Sequence, residues 1–190
     1  GSGSASPAPL SELDAFNYAV GTQTFGPKYQ FTAKPWLVET AEAIREMGAS
    51  VIKFRLGDSN RRGASPENIR TLRDVAGGDP ATKAVLDMPF GHYLLWAYSS
   101  DRGRSEAVGQ AARDEELYDL GCYLLKTYAG TRKTFYLGHW EGDWELRGRA
   151  GSRDDPTPEG IADKIRWLNR RQQAVDDAKR DTPHHGVEVY

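Results

Sequence analysis

The stretch His92-Tyr93-Leu94-Leu95-Trp96-Ala97-Tyr98 is apolar almost throughout, and the polar run Ser99 to Ser105 follows it. A short apolar run that ends in polar residues is the pattern of a parallel strand buried on both faces. Such a strand has no solvent side to alternate with, so the period of two seen in antiparallel sheets is lost.

Outward from this stretch the same unit recurs. On the amino side, Phe16 to Phe25 alternates Phe16, Tyr18, Val20 and Thr22 and reads as a first strand, broken by Gly26-Pro27. Pro35 suits a first helical position, Leu37, Ala41, Ile44 and Met47 follow at helical spacing, and Gly48 fits the helix end. Ser50 to Leu56 is a second strand, and Gly57 to Gly63 a polar, basic loop. Ser65-Pro66-Glu67 carries an N-cap, a first-turn proline and a first-turn acid, ahead of a short helix through Ile69, Leu72 and Val75-Ala76 that Gly77-Gly78 closes. Val85 to Phe90 is a short apolar piece stopped at Pro89.

On the carboxyl side, Glu106 to Tyr128 reads as a long helix with Leu117, Leu120, Leu124 and Tyr128 on one stripe. Thr134 to Trp140 is the fourth strand and Glu141 to Pro156 a long loop. Thr157-Pro158-Glu159 repeats the cap-and-proline signal before a helix marked by Ile161, Ile165, Leu168, Gln172 and Val175. A turn over Asp181 to Gly186 leads into a fifth strand, Gly186 to Tyr190. Strand and helix thus alternate, which predicts βαβ units and a parallel sheet. The loops after strands are long and polar, whereas the helix-to-strand loops (Gly48-Ala49, Gly130 to Lys133, Asp181 to His185) are short. In parallel α/β folds chemistry sits at the carboxyl ends of the strands, on the side of the long loops.

Composition places the 190 residues among soluble globular chains, with 38% hydrophobic and 27% charged residues. The net charge of -2 argues against electrostatic capture of nucleic acid or an anionic membrane, and no apolar run reaches the length of a transmembrane helix. Five Trp and nine Tyr are many for this length, and either fill the core or line a binding cleft. Cys122 is the only cysteine; it falls among Leu120, Leu124 and Leu125 and reads as a buried thiol. Residues 1–13 read as a flexible N-terminal linker or cloning scar, and residues 14–190 as one βα-repeat catalytic unit. Ser6 to Pro9 also fits the start of a mature secreted chain, so the expected location is secreted or extracytoplasmic.

The stretch Phe135-Tyr136-Leu137-Gly138-His139-Trp140-Glu141-Gly142-Asp143-Trp144 begins as a strand and ends in two carboxylates between two tryptophans. A carboxylic acid can protonate a glycosidic oxygen, a flat indole can stack on a sugar ring, and a Glu in apolar company has its pKa raised. The other reading is a loop of solvated acids and packing tryptophans. With the chain order, this stretch resembles the N-terminal portion of (β/α)8-barrel glycoside hydrolases whose acid/base glutamate ends the fourth strand. That class usually has Asn directly before the glutamate; here Trp140 stands there, with His139 before it. The resemblance implies an α/β fold of parallel βα repeats forming the N-terminal part of a (β/α)8 (TIM) barrel. The expected function is a glycoside hydrolase acting on a carbohydrate, with Glu141 as acid/base and no cofactor or metal. The nucleophile of the class lies on a later strand, so a second polypeptide or a missing segment would complete the barrel. A small open-sheet domain, or a non-catalytic carbohydrate-binding or structural barrel fragment, is the alternative.

Around Glu141 the candidate substrate contacts are Trp140 and Trp144 as stacking platforms, Asp143 as a hydrogen-bond partner or turn cap, and His139 as a hydroxyl partner or a structural imidazole. Lys53 and Arg55 are two apart in the second strand and share a face, where they meet either substrate or an internal salt-bridge layer. Gln23 and Tyr98 stand near the ends of the first and third strands. His184-His185 reads as a turn rather than a metal site, since adjacent residues seldom chelate one ion.

Overall fold

The computed structural model describes residues 12–24, 26, 28–57, 69, 71–98, 106–139, 146 and 155–190, with side chains from residue 15 in the first helix and from residue 114 in the fifth. In chain order the elements are α1 (Glu12–Ala19), β1 (Gly21–Thr24), α2 (Trp36–Glu46), β2 (Val51–Leu56), α3 (Leu72–Gly78), α4 (Pro80–Asp87), β3 (His92–Ala97), α5 (Glu106–Thr127), β4 (Lys133–Gly138), α6 (Pro158–Asp181) and β5 (Val187–Val189). Among the described residues the sheet has five strands, all parallel, hydrogen-bonded in the order β1-β2-β3-β4-β5.

That order decides where the helices lie. A parallel crossover is right-handed. When each crossover steps to the next strand in the same direction, each helix lands on the same face. A doubly wound sheet instead reverses its order and carries helices on both faces. Burial follows the first pattern. Ile52, Phe54, Leu56, Tyr93, Leu95, Ala97, Phe135, Leu137, Val187 and Val189 are buried and join Leu37, Ile44, Val75, Val85, Leu86, Leu117, Leu120, Leu124 and Val175 of the helices in one core cluster. The alternate residues Lys53, Arg55, His92, Leu94 and Trp96 are only half-buried, and Tyr136 and Glu188 are exposed. The expectation that the third strand is buried on both faces is therefore corrected: its apolar run serves a helix-covered face and an open one.

Three other expectations change. Phe16 to Ala19 is the end of a helix, not the start of a strand, and Phe16 and Tyr18 are exposed at 66% and 49%. The alternation there was coincidental; the Val20 N–H donates back to the Phe16 carbonyl, and the strand starts at Gly21. Val85 to Asp87 belongs to α4, which Asp79 caps by accepting from the Thr82 N–H while Pro80 occupies the first turn. Helix α3 is capped by Thr71 and Asp74 in a reciprocal box, and the Ser65-Pro66-Glu67 signal lies outside the described residues. Cys122 is half-buried rather than buried. Its hydrogen bond with Tyr118 is the largest cause of the rise of that phenol's pKa to about 12.

The amino end of the sheet is tied together by polar groups. Gly130 and Gly186 take positive φ, of 78° and 57°, in the turns that enter β4 and β5. There the Gly130 N–H donates to the His185 carbonyl at 2.7 Å and the Arg132 N–H to the Gly186 carbonyl at 2.6 Å. Below β3 and β4, the ammonium of Lys133, 7% exposed, donates to the carbonyls of Leu86 and Met88 and to the Tyr93 hydroxyl, the last two at 2.7 and 3.1 Å. It also stands over the rings of Tyr93 and Tyr128, at 5.1 and 4.9 Å. The Tyr128 hydroxyl donates to Asp87 at 2.9 Å, and Lys83 pairs with the same carboxylate at 2.6 Å. Burial pushes the Lys133 ammonium down to about 8 against the pull of Asp87.

Candidate active site

The carboxyl ends of the strands collect the candidate residues that the structure describes. Register sets them in rungs across the open face. Gln23 pairs with Lys53, Lys53 with Leu94, and Leu94 with Tyr136. One rung nearer the carboxyl end, Arg55 pairs with Trp96 and Trp96 with Gly138. Gln23 is exposed and Lys53, Arg55 and Trp96 are half-buried. The Lys53 ammonium lies 4.9 Å from the centre of the Trp96 ring, so the cation rests on an aromatic face rather than free in solvent. Tyr98, half-buried, follows β3 two residues beyond Trp96. The structure thus brings Gln23, Lys53, Arg55 and the β3 end onto one surface.

His139 stands elsewhere. It shares the parity of the buried Phe135 and Leu137 and turns to the helix side, where its ring meets Trp167 of α6 edge-on at 4.9 Å and 76°. Trp140, Glu141, Asp143 and Trp144 lie outside the described residues.

Three α6 residues at this end escaped the sequence reading. The Arg171 guanidinium donates to the carbonyls of Ala97 at 3.3 Å, Leu137 at 3.3 Å and Gly138 at 3.2 Å. It also lies 4.9 Å from the Trp167 ring centre, and Lys164 covers the same ring at 3.9 Å. The expected stripe of Ile161, Ile165 and Leu168 is corrected: these are 44%, 53% and 40% exposed. The inward side runs Lys164, Trp167, Arg171, Ala174, Ala178. Two physical gains favour this rotation. Arg171 satisfies strand-end carbonyls, and small residues let α6 approach α5 so closely that a Cβ on Gly121 would be 2.9 Å from that of Ala178. The signal was present in the sequence as a Trp, an Arg and two Ala at intervals of four, three and four.

Among the described residues, no group of three His, Cys, Asp or Glu side chains is arranged to hold a metal ion, and no helix is long and apolar enough to cross a membrane. His184 donates from Nδ1 to the Thr182 carbonyl at 2.7 Å in the turn before β5, at the opposite end of the sheet. Comparison with family models, with curated proteins and with solved structures finds no match to this chain.

Proposed function

We propose that the chain forms the N-terminal part of a (β/α)8-barrel glycoside hydrolase that cleaves O-glycosidic bonds of a carbohydrate, with Glu141 as general acid/base. The observation that carries the reading is the sequential parallel sheet with its helices on one face, whose fourth strand ends at Gly138 directly before His139-Trp140-Glu141-Gly142-Asp143-Trp144. Sequential order with helices on one face is the geometry a barrel wall requires. In this reading the open face, with Lys53, Arg55 and Trp96, would be the inside of that wall.

In this reading Glu141 protonates the leaving oxygen, and a second carboxylate on a strand beyond β5 acts as nucleophile or base. The two carboxyls would stand about 5–5.5 Å apart in a retaining enzyme and about 6.5–9.5 Å apart in an inverting one. A further segment or a second polypeptide supplies the closing strands. Trp140 and Trp144 stack on sugar rings, Asp143, Gln23, Lys53, Arg55 and Tyr98 line the mouth, and the chemistry asks for neither metal nor cofactor.

The test is hydrolysis of a panel of p-nitrophenyl glycosides and soluble polysaccharides by the wild type and by Glu141→Gln. Loss of general acid catalysis should lower kcat on the polysaccharides, whose leaving alkoxide needs a proton, by about 10²- to 10⁴-fold, and less on the p-nitrophenyl glycosides, whose phenolate leaves unaided; the polysaccharide comparison decides. Turnover by Glu141→Gln equal to that of the wild type would sink the assignment. Polysaccharide affinity without turnover in either protein would favour a non-catalytic carbohydrate-binding module.

A further inference from the structure

We infer that Lys53, with Gln23 beside it, is a subsite for a carboxylate of the substrate, so that the carbohydrate met by the open face contains uronic acid residues. The sugar half of this inference rests on the function proposed above; the anion half stands on the geometry of β2 and its neighbours. Lys53 is half-buried on the open face of β2. Among the described residues its ammonium meets no carboxylate and no carbonyl, and its contact is the Trp96 ring at 4.9 Å. An ammonium carries three donors, and a ring face attracts its charge without supplying an oxygen to accept them. Other lysines of the fold show the contrast. Lys133 donates to the Leu86 and Met88 carbonyls and the Tyr93 hydroxyl, Lys83 pairs with Asp87, and Lys179 pairs with Glu188. A half-buried cation whose donors are not spent inside the protein is a place for an anion.

What surrounds the ammonium narrows the kind of anion. Register carries one rung from the exposed Gln23 through Lys53 and Leu94 to Tyr136, which is 40% exposed. The Tyr136 ring is itself held, stacked between His92 and Tyr190 with ring centres 6.1 and 5.8 Å away. Neighbouring strands stand about 4.8 Å apart, so a donor end and an apolar end lie one to two strand spacings from each other. An inorganic anion would use only the donor end. A uronate residue uses both: its carboxylate accepts from Lys53 and from the Gln23 amide, and the C–H face of its ring lies along Leu94 toward Tyr136. The Trp96 ring covers one side of the ammonium, and a charge-assisted bond made there is stronger than one in open water.

The experiment is titration calorimetry on the full chain with oligomers of galacturonate and mannuronate, the neutral oligomers of galactose and mannose, and acetate. An acidic oligomer should bind about 10-fold or more tighter than its neutral counterpart and than acetate, and high salt should shrink that preference. Lys53→Met should weaken the acidic oligomer by about 10- to 100-fold, as loss of a charge-assisted bond does, and leave the neutral one within about 2-fold. Lys53→Arg, which keeps the charge, should retain most of the preference. Gln23→Leu, at an exposed position, should weaken the acidic oligomer by about 2- to 10-fold, and it decides the matter if Lys53→Met does not fold. Equal affinity for acidic and neutral oligomers, no binding of any oligomer, or acetate binding as tightly as the acidic oligomer overturns the inference. So does an unchanged preference in a folded Lys53→Met, or in Gln23→Leu where that variant decides. Glu141→Gln separates this result from the proposed function. Acidic oligomers bound by both proteins and cleaved by neither would sink the glycosidase reading and leave the subsite standing. Cleavage lost in Glu141→Gln, with no preference for acidic oligomers, would do the reverse.

Discussion

Lys133→Met should remove a pH-dependent share of the stability of this fold. The ammonium is 7% exposed and its pKa is lowered to about 8, with burial as the main cause. In the unfolded chain the lysine returns to its ordinary value near 10.5. The sign follows from proton counting. Between these two values the unfolded chain holds a proton that the folded chain has released, so stability rises with pH. From pH 7 to pH 9.5 the rise amounts to about 2 kcal/mol, out of a limit of about 3 kcal/mol for the full shift. Tyr93 and Tyr128 work the other way, but later. Burial holds both phenols above their ordinary value, so they lower stability only as the unfolded chain's tyrosines ionise near 10.

At pH 7 the lysine is charged in both states. Methionine there loses the charge-assisted bonds to Leu86, Met88 and Tyr93, each worth about 1.5–3 kcal/mol, but it also relieves an ammonium of its burial. The Tyr93 hydroxyl still donates toward the Val85, Leu86 and Met88 carbonyls, which limits the damage. A net loss of about 1–2 kcal/mol follows, on the scale of losing one or two bonds to a charged group. The gap between wild type and variant should then widen to about 3–4 kcal/mol at pH 9.5. Urea unfolding followed by tryptophan fluorescence at pH 7, 8, 9 and 9.5 measures it, and the other titrating groups cancel in the difference. A gap that stays constant or narrows over this range would refute the reasoning.

Two further substitutions test the packing. Asp79→Ala should cost about 2–3 kcal/mol, because it removes a helix cap and leaves the fully buried Thr82 hydroxyl, now 2.5 Å from that carboxylate, without its partner. Asp79→Asn keeps the cap and should stay within about 1 kcal/mol of the wild type in the same urea titration. Gly121→Ala should destabilise by about 1–3 kcal/mol through overpacking against Ala178, although alanine is the better helix former. Addition of Ala178→Gly should restore most of that loss, and additive effects in the double-mutant cycle would show that the two helices do not meet there.

The alternation of elements was legible because the chain marks it locally. Pro158 after Thr157, the glycines at positions 48, 130 and 186, and the apolar runs of β2 to β4 each act over a few residues. What failed depended on partners distant in sequence. Alternating Phe16, Tyr18 and Val20 mimic a strand, yet the segment is helical and docks its end onto Ser50, whose N–H donates to the Tyr18 carbonyl at 3.1 Å. In α6 the aliphatic stripe suggested one inward face, but the carbonyls at the ends of β3 and β4 needed donors, and Arg171 supplies them. Local periodicity counts apolar residues; it cannot see an unsatisfied carbonyl that belongs to another element. The same limit applied at the site. Lys53 and Arg55 were visible as a pair on one face, whereas the Trp96 ring under Lys53 and the Trp167 ring beside His139 arise only from register and helix rotation.

The two ends of the sheet treat charge in opposite ways, and this orients the search for chemistry. At the amino end Lys133 is closed in by carbonyls, two phenol rings and the Asp87 pair, and its donors are spent inside the protein. A lysine enclosed in this way can stabilise but cannot meet a substrate. On the open face Lys53 rests half-buried on Trp96, with Gln23 exposed on the neighbouring strand, so the polar atoms there face outward. In parallel α/β folds in general the working residues gather at the carboxyl ends of the strands, and here the cations of the open face, Lys53 and Arg55, are half-buried rather than enclosed. The Arg171 guanidinium of α6 sits at that second end. Its donors go to the backbone of β3 and β4, so there too a cation satisfies strand-end carbonyls.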